Sequence, residues 1–394
     1  MRDYLIYRRS RAGKSADLET RSLERFGAAQ VSIAVERLED RDAASLARDP
    51  SNLIAPVMPT RLIAPVRTDI SLSGEGPGTV DHPWGIAAVG ADTTPFDGAG
   101  VRLAVLDTGI ARDHIAFQHI RFLERDFSGS GDGDVQGHGT HCAGTIFGKL
   151  PAGRIGVAPG VTDVLIGKVL GDDGSGGSDM LFNALHWVMQ ERVQIVSMSL
   201  GFDFPGMVER LVKDGWPPAL ATSVGLEAYG GNLRMFDALM QEMRARAPFG
   251  GTPLVVAAAG NESRRSVDAQ YRIAASLPAA AHDVISVAAL RQDGDGQDGD
   301  GYAVADFSNS QPIVSAPGQD ILSAEPDGGL VSLSGTSMAC PHVAGVAALW
   351  WQKLGNRANA ASVAARLRAS CRMNQLRGTD PSDVGEGLVT APAD

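Results

Sequence analysis

Cysteine is scarce in this chain, since its 394 residues include three, Cys142, Cys340 and Cys371. A small and odd number does not build a disulfide framework, which favours a reducing compartment. Positive charge is also in short supply: 35 basic against 46 acidic side chains leave a formal net charge of −11. Because polyanions bind basic surfaces, this balance argues against nucleic acid as a partner.

Long apolar runs are missing as well. No stretch reaches the roughly 18 apolar residues of a membrane-spanning helix. The first residues, Met1 to Arg9, contain neither a long apolar segment nor a small-residue cleavage site, both of which a secretory signal needs. We therefore expect a cytoplasmic protein without a membrane partner, while an N-terminus that is incomplete would leave secretion open.

Apolar residues make up 44% of the sequence, enough for a large core. Several apolar runs are continuous rather than alternating, which is typical of parallel strands covered on both faces. The clearest are residues 101–106, 193–200, 254–259 and 284–289. Because predicted helices alternate with these strands, the fold class is α/β, a doubly wound and mostly parallel sheet, preceded by a small α+β unit.

Three parts of the chain differ in pattern. Residues 1–66 predict the small unit, with strands at 4–8, 30–38 and 52–58 and helices at 15–26 and 40–48. Residues 67–81, rich in Gly and Ser, predict a linker. Residues 82–394 form the large domain, with an insertion at about 202–251.

The insertion contains a predicted helix at 233–246. Its apolar residues recur at helical spacing; they are Leu233, Phe236, Leu239, Met240 and Met243. The simpler interpretation is a helix that packs this stripe on the body. The alternative is that the insertion borders a cleft and restricts substrates or recruits a partner.

The segment from Gly335 to Gly345 places a serine at the start of an apolar helix. A short strand is expected at 330–334 and an apolar helix around 343–351. Pro341 is tolerated in a first helical turn, so the helix is expected to begin close to Ser337. The Ser337 hydroxyl and N–H would then lie at the positive end of the helix dipole. From this segment alone, a serine that only caps a core helix remains an alternative.

Three other polar residues follow predicted elements in the same way. Asp107 ends an apolar run, His138 lies between two glycines, and Asn261 follows the run at 254–259. Sites on open α/β sheets are built at such positions. The order Asp107, His138, Ser337 is that of subtilisin. With these four segments, the chain resembles the subtilases, the subtilisin-like serine peptidases, over roughly Trp84 to Ala391.

The resemblance implies a serine endopeptidase that acts on polypeptides. Ser337 would be the nucleophile, His138 its base and Asp107 the acid that orients the imidazole. The side-chain amide of Asn261 and the N–H of Ser337 would stabilise the oxyanion. For Asn261 the alternative is an ordinary turn residue, because Gly-Asn is a common turn pair.

The resemblance also implies two edges that bind an extended peptide between them. They consist of Ser199, Leu200 and Gly201 on one side and of Gly174, Ser175 and Gly176 on the other. Small residues that include Ala258 and Gly260 would form one wall of the primary specificity pocket and leave it open for bulky apolar groups. Two ordinary loops are the alternative.

The small unit resembles the propeptide found ahead of many subtilase domains. This implies a zymogen whose own N-terminal domain is an intramolecular inhibitor, cut within about residues 60–82 or kept uncut. A different class of function stays open: a peptide-binding or regulatory protein that keeps the peptidase fold while its cleft remains blocked.

Metal chemistry is not expected, although His141 and His342 lie near the motifs. The HExxH pattern is absent, and no cofactor is predicted. Cys142 and Cys340 are expected to be buried, inert thiols.

Calcium is the one ion that the sequence leaves open. Many secreted subtilases carry a calcium-binding aspartate where this chain has Ala116, and residues 148–154 contain two cations and no acid, which argues against the usual calcium site. The acidic turn at 293–300 could hold calcium or be a solvated turn.

Overall fold

The computed structural model describes residues 1–10, 30–67, 83–151, 153–247, 252–294 and 301–393. Three predictions fall largely outside the described residues: the helix at 15–26, the linker beyond Arg67 and the acidic turn beyond Gly294. Along the part of the chain that is described, no helix is both long enough and apolar enough to cross a bilayer.

The N-terminal unit is a small antiparallel sheet in the order β2-β1-β3. Its described elements are β1 (Arg2–Ser10), β2 (Gln30–Leu38), α1 (Asp40–Leu46) and β3 (Asn52–Pro56). The expected strands and the second expected helix are thus present. Leu5 and Tyr7 of β1 are fully buried, because this face of the sheet packs on the large unit.

After β3 the chain leaves the small sheet and crosses the large unit. We call residues 57–67 the crossing segment. It contains β4 (Pro59–Leu62) and β5 (Val66–Arg67). Both strands pair with strands of the large unit and neither pairs with the small sheet. The last part of the predicted N-terminal unit therefore lies on the surface of the predicted large domain.

The large unit alternates strands and helices. Its first half consists of α2 (Trp84–Ala88), β6 (Arg102–Asp107), β7 (Arg121–Asp126), α3 (His138–Phe147), β8 (Lys149–Leu150), β9 (Gly153–Arg154), β10 (Asp163–Lys168), β11 (Ser175–Gly177), α4 (Ser178–Gln190), β12 (Ile195–Met198) and β13 (Leu200–Phe202). Its second half consists of α5 (Phe204–Lys213), α6 (Pro218–Arg246), β14 (Leu254–Ala258), β15 (Val284–Asp293), β16 (Gly301–Val304), β17 (Val314–Pro317), β18 (Ile321–Ala324), β19 (Leu330–Ser334), α7 (Thr336–Leu354), α8 (Ala360–Ala369) and α9 (Pro381–Val384).

The central sheet has eight strands in the order β16-β15-β14-β12-β6-β10-β7, with β17 beside β15. All of its pairs are parallel except β15 with β16. Side chains of β6 alternate between two apolar clusters, Leu103 and Val105 in one and Ala104 and Leu106 in the other. Both faces are covered, which explains the continuous apolar runs and confirms the predicted α/β fold.

The insertion is more helical than expected. Instead of one helix at 233–246, it forms α5 and the 29-residue α6, which starts at Pro218. Proline is favoured in a first turn, and the interior glycines of α6 are contact points rather than breaks. A Cβ on Gly231 would lie 3.0 Å from the Cβ of Ala55. The apolar stripe of α6 packs in one cluster with side chains of the small sheet.

Candidate active site

An aspartate and a histidine form a buried pair at the carboxyl edge of the central sheet. Asp107 is the last residue of β6, and His138 is the first residue of α3. The Nδ1 atom of His138 lies 2.7 Å from Oδ1 of Asp107, and both side chains are almost completely buried. The same carboxylate oxygen accepts the N–H of Thr108 at 2.8 Å. The contact between Nδ1 of His138 and Asp107 fixes the imidazole so that Nε2 is the nitrogen left to act as a base.

A second buried carboxylate holds the loop ahead of His138. Asp134 accepts hydrogen bonds from the Thr108 hydroxyl, the Gly137 N–H and both the N–H and hydroxyl of Thr140, at 2.6 to 2.8 Å. Sequence reasoning missed this residue. Its signal was an acid three residues before a glycine that precedes a helix, a common capping arrangement.

Ser337 is buried in the first turn of α7. The helix begins at Thr336, next to Ser337 as expected, but Pro341 lies in its second turn rather than in its first. Because Pro341 has no N–H, the Ser337 carbonyl lacks its helical donor. The Ser199 hydroxyl at 3.1 Å and the Cys142 thiol at 3.4 Å contact that carbonyl instead. These contacts compensate for the proline.

The side-chain amide of Asn261 faces the same space. Its Oδ1 accepts the N–H and the hydroxyl of Thr336, both at 2.9 Å. The Thr336 hydroxyl in turn accepts the Gly260 N–H at 3.1 Å. Since the oxygen has two donors, the amide nitrogen must be the atom that faces the cleft. Sequence reasoning identified Asn261 but not Thr336, which orients it.

The two predicted substrate edges enclose a strand of the chain itself. β4 lies antiparallel between β11 and β13. Arg61 pairs with Ser175 on one side and with Gly201 on the other, and the Leu62 N–H donates to the Gly174 carbonyl at 2.8 Å. Gly176 and Leu200 contact the same strand. The described pairing of β13 with β4 covers Leu200–Phe202 and leaves Ser199 outside; the Ser199 hydroxyl donates to the Ser337 carbonyl.

Two consecutive carbonyls of the crossing segment contact the nucleophile and the amide. The Ser337 hydroxyl lies 3.3 Å from the Ile63 carbonyl oxygen and 3.4 Å from that of Ser199. The Asn261 Nδ2 atom donates to the next carbonyl, that of Ala64, at 3.2 Å. Within the described residues, Nε2 of His138 is buried without a hydrogen-bond partner.

The remaining predicted pocket residues are Ala258 and Gly260. Ala258 ends β14, and both Ala258 and Ile63 belong to the same buried apolar cluster. Gly260 has a φ of 115°, and a Cβ there would lie 2.3 Å from the side chain of Asn309. Only glycine fits this turn. A buried isoleucine at this position agrees with a pocket that accepts bulky apolar groups.

The two other histidines near the motifs are buried and neutral. Burial lowers the pKa of His141 to about 3 and that of His342 to about 4. Nε2 of His141 lies 3.0 Å from the Ile321 carbonyl oxygen, and Nδ1 of His342 lies 2.8 Å from that of Met338. Hydrogen bonds to main-chain carbonyls leave these nitrogens as donors rather than as ligands.

Both thiols near the motifs are buried as well. Burial raises the pKa of Cys340 to about 11 and raises that of Cys142 well above its usual range. The reactive thiolate is therefore disfavoured at neutral pH.

A metal could be ligated at one described cluster, which coincides with the aspartate–histidine pair. Ligand atoms of Asp107, His138 and Cys142 lie within 4.8 Å of one another, but Nδ1 of His138 already bonds to Asp107. In the loop where calcium was considered, Arg154 donates to the carbonyls of Ala91, at 2.8 Å, Gly156 and Val157. The guanidinium of Arg154 is thus hydrogen-bonded to three carbonyl oxygens, which are the kind of ligand that calcium needs.

Comparison with known proteins agrees with this geometry. A model of the subtilase family matches residues 98–387. An "Intracellular serine protease" of Paenibacillus polymyxa is 36% identical over 266 residues, which cover 64% of this chain and 67% of that protein. A "Subtilisin-like protease 6" of Trichophyton soudanense is 36% identical over 275 residues, covering 67% of this chain and 57% of that protein. The protein of the same name in Arthroderma benhamiae is 35% identical over the same shares.

The fold and the site define an α/β protein of subtilisin type with a buried serine, histidine and aspartate at one edge of its sheet. The chain belongs to the subtilase family, as its four motifs predicted. It spans a little over half the length of the Trichophyton relative.

Proposed function

We propose that this protein is a serine endopeptidase that hydrolyses polypeptides bound as extended strands. One observation carries the proposal: a strand of the chain lies between the two edges and points consecutive carbonyls at Ser337 and Asn261. The buried pair of Asp107 and His138 adds the base that a serine nucleophile needs.

The groups divide the reaction as follows. His138 takes the proton of Ser337 through Nε2 while the serine oxygen attacks the carbonyl carbon, and later gives this proton to the leaving amine. Asp107 stabilises the imidazolium that forms in between. The amide of Asn261 and the N–H of Ser337 stabilise the negative oxygen of the tetrahedral intermediate. We propose that no cofactor takes part, so a chelator is expected to leave hydrolysis unchanged.

We further propose that the N-terminal unit inhibits this site. An attacked carbonyl must present its carbon to Ser337 and its oxygen to Asn261. In the crossing segment these two contacts go to different carbonyls, Ile63 and Ala64. This mismatch supports a strand that occupies the cleft without being cut there, and makes the chain a zymogen until the segment is released.

Two versions of inhibition differ in outcome. In the first, the chain is cut within about residues 60–82 and the unit dissociates. In the second, the unit stays attached and the protein is an occluded peptide-binding or regulatory protein. The intact mass of the purified chain over time, beside a Ser337→Ala chain, separates them.

Loss of an N-terminal fragment from the unsubstituted chain alone supports a self-cleaved zymogen. If both chains stay intact and neither hydrolyses casein after mild proteolysis of the crossing segment, the endopeptidase proposal fails.

We also propose a cytoplasmic location. The scarcity of cysteine supports it, as does the name of the Paenibacillus relative, an intracellular serine protease. Fractionation of the native host with an antibody against the chain tests it, since recovery from the culture medium would contradict it.

A further inference from the structure

Arg61 of the crossing segment lies between two carboxylates beside the cleft, those of Asp203 and Glu262. We call these two carboxylates the acidic notch. The Nη1 atom of Arg61 is 3.2 Å from Oδ1 of Asp203, and its Nη2 atom is 3.3 Å from Oε1 of Glu262. Asp203 follows the β13 edge, and Glu262 follows the amide of Asn261. The notch is therefore built on the same two segments that bind the strand and the attacked carbonyl.

Neutral donors hold both carboxylates in place. Asp203 caps α5 by accepting the Gly206 N–H at 3.1 Å, and its side chain is 13% exposed. Glu262 accepts the side-chain amide of the buried Asn309 at 2.7 Å through its other oxygen. Because these partners carry no charge, the negative charge of the notch is available to a cation. Among the described residues, both ion pairs of the notch are made by Arg61.

The notch opens on a cavity of about 380 Å³ with mainly apolar walls. Phe204 and Tyr229 from the insertion and Ile273 from the body contribute to its lining. Arginine and lysine carry a charged end on a long apolar stem. A pocket with apolar walls and the Glu262 carboxylate in its lining matches such a side chain better than a small or acidic one.

The position of the notch along the cleft is fixed by the ladder. Arg61 pairs with Gly201 and Ser175, one on each edge. It lies two residues before Ile63, whose carbonyl faces the Ser337 hydroxyl. A polypeptide that binds along the same two edges presents its own residue to the notch at this point.

We propose that Asp203 and Glu262 form a specificity subsite for a basic side chain, located two residues before the residue whose carbonyl faces Ser337. The inference rests on the proposed endopeptidase function and names the class of substrate, polypeptides with arginine at that position. Arginine ranks before lysine because its planar fork gives one nitrogen to each carboxylate, whereas an ammonium is a single point charge.

The size of the preference follows from the exposure of the pair. Exposed ion pairs contribute little to the free energy of binding, while charged hydrogen bonds to partly buried groups contribute more. We expect peptides with arginine to exceed those with glutamine by about tenfold in kcat/KM, with lysine between them. Salt screens such contacts, so about 1 M sodium chloride reduces the ratio.

The first experiment tests cation binding without hydrolysis. Hydrogen exchange of residues 59–63 is measured in the full chain with Ser337→Ala. We expect exchange of the Leu62 amide, which bonds to Gly174, to become about tenfold faster with Arg61→Gln. The pair Asp203→Asn and Glu262→Gln, which keeps the neutral hydrogen bonds, should have the same effect.

The matched control is Arg8→Gln, since Arg8 forms its ion pair with Glu36 in the small sheet, away from the cleft. It should leave this amide unchanged. Equal exchange of the Leu62 amide in the Arg61→Gln chain and in its parent, which carries Ser337→Ala alone, overturns the proposal.

The second experiment measures specificity by internal competition. Peptides that differ only in arginine, lysine or glutamine at this position share one tube with the full chain, and mass spectrometry follows each product. The ratio of the cleavage rates of two competing peptides does not depend on the fraction of enzyme whose cleft is free of the crossing segment. A ratio near one, or a preference that survives Asp203→Asn with Glu262→Gln, overturns the subsite. If no peptide is cut even after mild proteolysis of the crossing segment, the endopeptidase proposal fails, and hydrogen exchange alone decides whether the notch binds a cation.

Discussion

The same five residues, Leu-Ile-Ala-Pro-Val, occur twice in this chain and have two different surroundings. The first copy, residues 53–57, belongs largely to β3 of the small sheet. The second, residues 62–66, crosses the cleft. Both are extended and both have a carbonyl bound by an asparagine side chain. What distinguishes them is the set of side chains that they meet.

The first copy is part of a core. Ala55 is fully buried, and the Asn232 amide donates to the Pro56 carbonyl at 2.9 Å inside the apolar cluster. The second copy crosses the candidate active site. Ala64 is exposed, and the Asn261 amide that binds its carbonyl is oriented by Thr336 and lies beside Ser337. A single local sequence is thus structural in one place and substrate-like in the other, because the partners differ.

The largest difference is expected between two serines. Ser337→Ala removes the nucleophile beside the second copy, and hydrolysis of a peptide substrate should fall about a millionfold, the size measured in subtilisin, itself a member of this family. Ser178→Ala removes a hydroxyl that bonds to the Met58 N–H just after the first copy and should leave kcat within about twofold of the parent. Equal losses in both variants would break the comparison.

Next come the two asparagines. Asn261→Ala should lower kcat about 10²- to 10³-fold, the range known for such a donor in this family. Asn232→Ala should leave kcat close to that of the parent, while stability falls by about 1 to 3 kcal/mol because the buried Pro56 carbonyl loses its donor. Steady-state kinetics and urea unfolding of both variants check this, and a stability loss in Asn261→Ala alone would contradict it.

The two surroundings also differ in groups that titrate. All eight histidines follow residue 81, so the small sheet has none. Burial lowers the pKa of His342 to about 4, against about 6.5 in the unfolded chain. Between these values the unfolded state binds more protons, so the free energy of unfolding falls as pH falls, by roughly 3 kcal/mol for this histidine.

Urea unfolding of the Ser337→Ala chain between pH 7.5 and 4 measures this slope. His342→Gln should make it shallower, with the buried His141 still contributing, whereas His282→Gln, which changes an exposed histidine, should leave it unchanged. Stability that rises toward pH 4 would contradict the prediction.

The smallest effect concerns the alanines of the two copies. Ala55→Leu overfills a site that already touches Gly231 and should cost about 1 to 3 kcal/mol. Ala64→Leu adds an exposed side chain and should cost less than about 0.5 kcal/mol. Thermal unfolding of both variants in the Ser337→Ala chain compares them, and equal shifts would show that the second copy is buried after all.

The residues of the candidate site could be selected from the sequence because each polar residue follows a continuous apolar run or begins a helix. Asp107, His138, Asn261 and Ser337 converge since parallel strands bring their carboxyl ends to one edge. The edges at Gly174 and Gly201 were predictable only through the family resemblance, because their glycines alone indicate turns.

What could not be predicted depends on distant partners. The crossing segment has the pattern of a strand, and a pattern does not specify whether β4 pairs with its own sheet or with the cleft. The start of α6 was missed because Gly225 and Gly231 resemble helix breaks, although both are close contacts. Pro341 was misplaced because the donors that replace its N–H come from Ser199 and Cys142, far away in sequence.

The account depends most on the claim that the second copy blocks the active site. Leu62→Pro removes the N–H that bonds to the Gly174 carbonyl and should detach β4 from its edge. A serine-directed phosphonate is added to this variant, to the unsubstituted chain and to Ser337→Ala, and intact mass follows labelling and any cleavage together. We predict that Leu62→Pro is labelled at least about tenfold faster than the unsubstituted chain and that Ser337→Ala is not labelled. Equal labelling rates for the first two chains would contradict the claim.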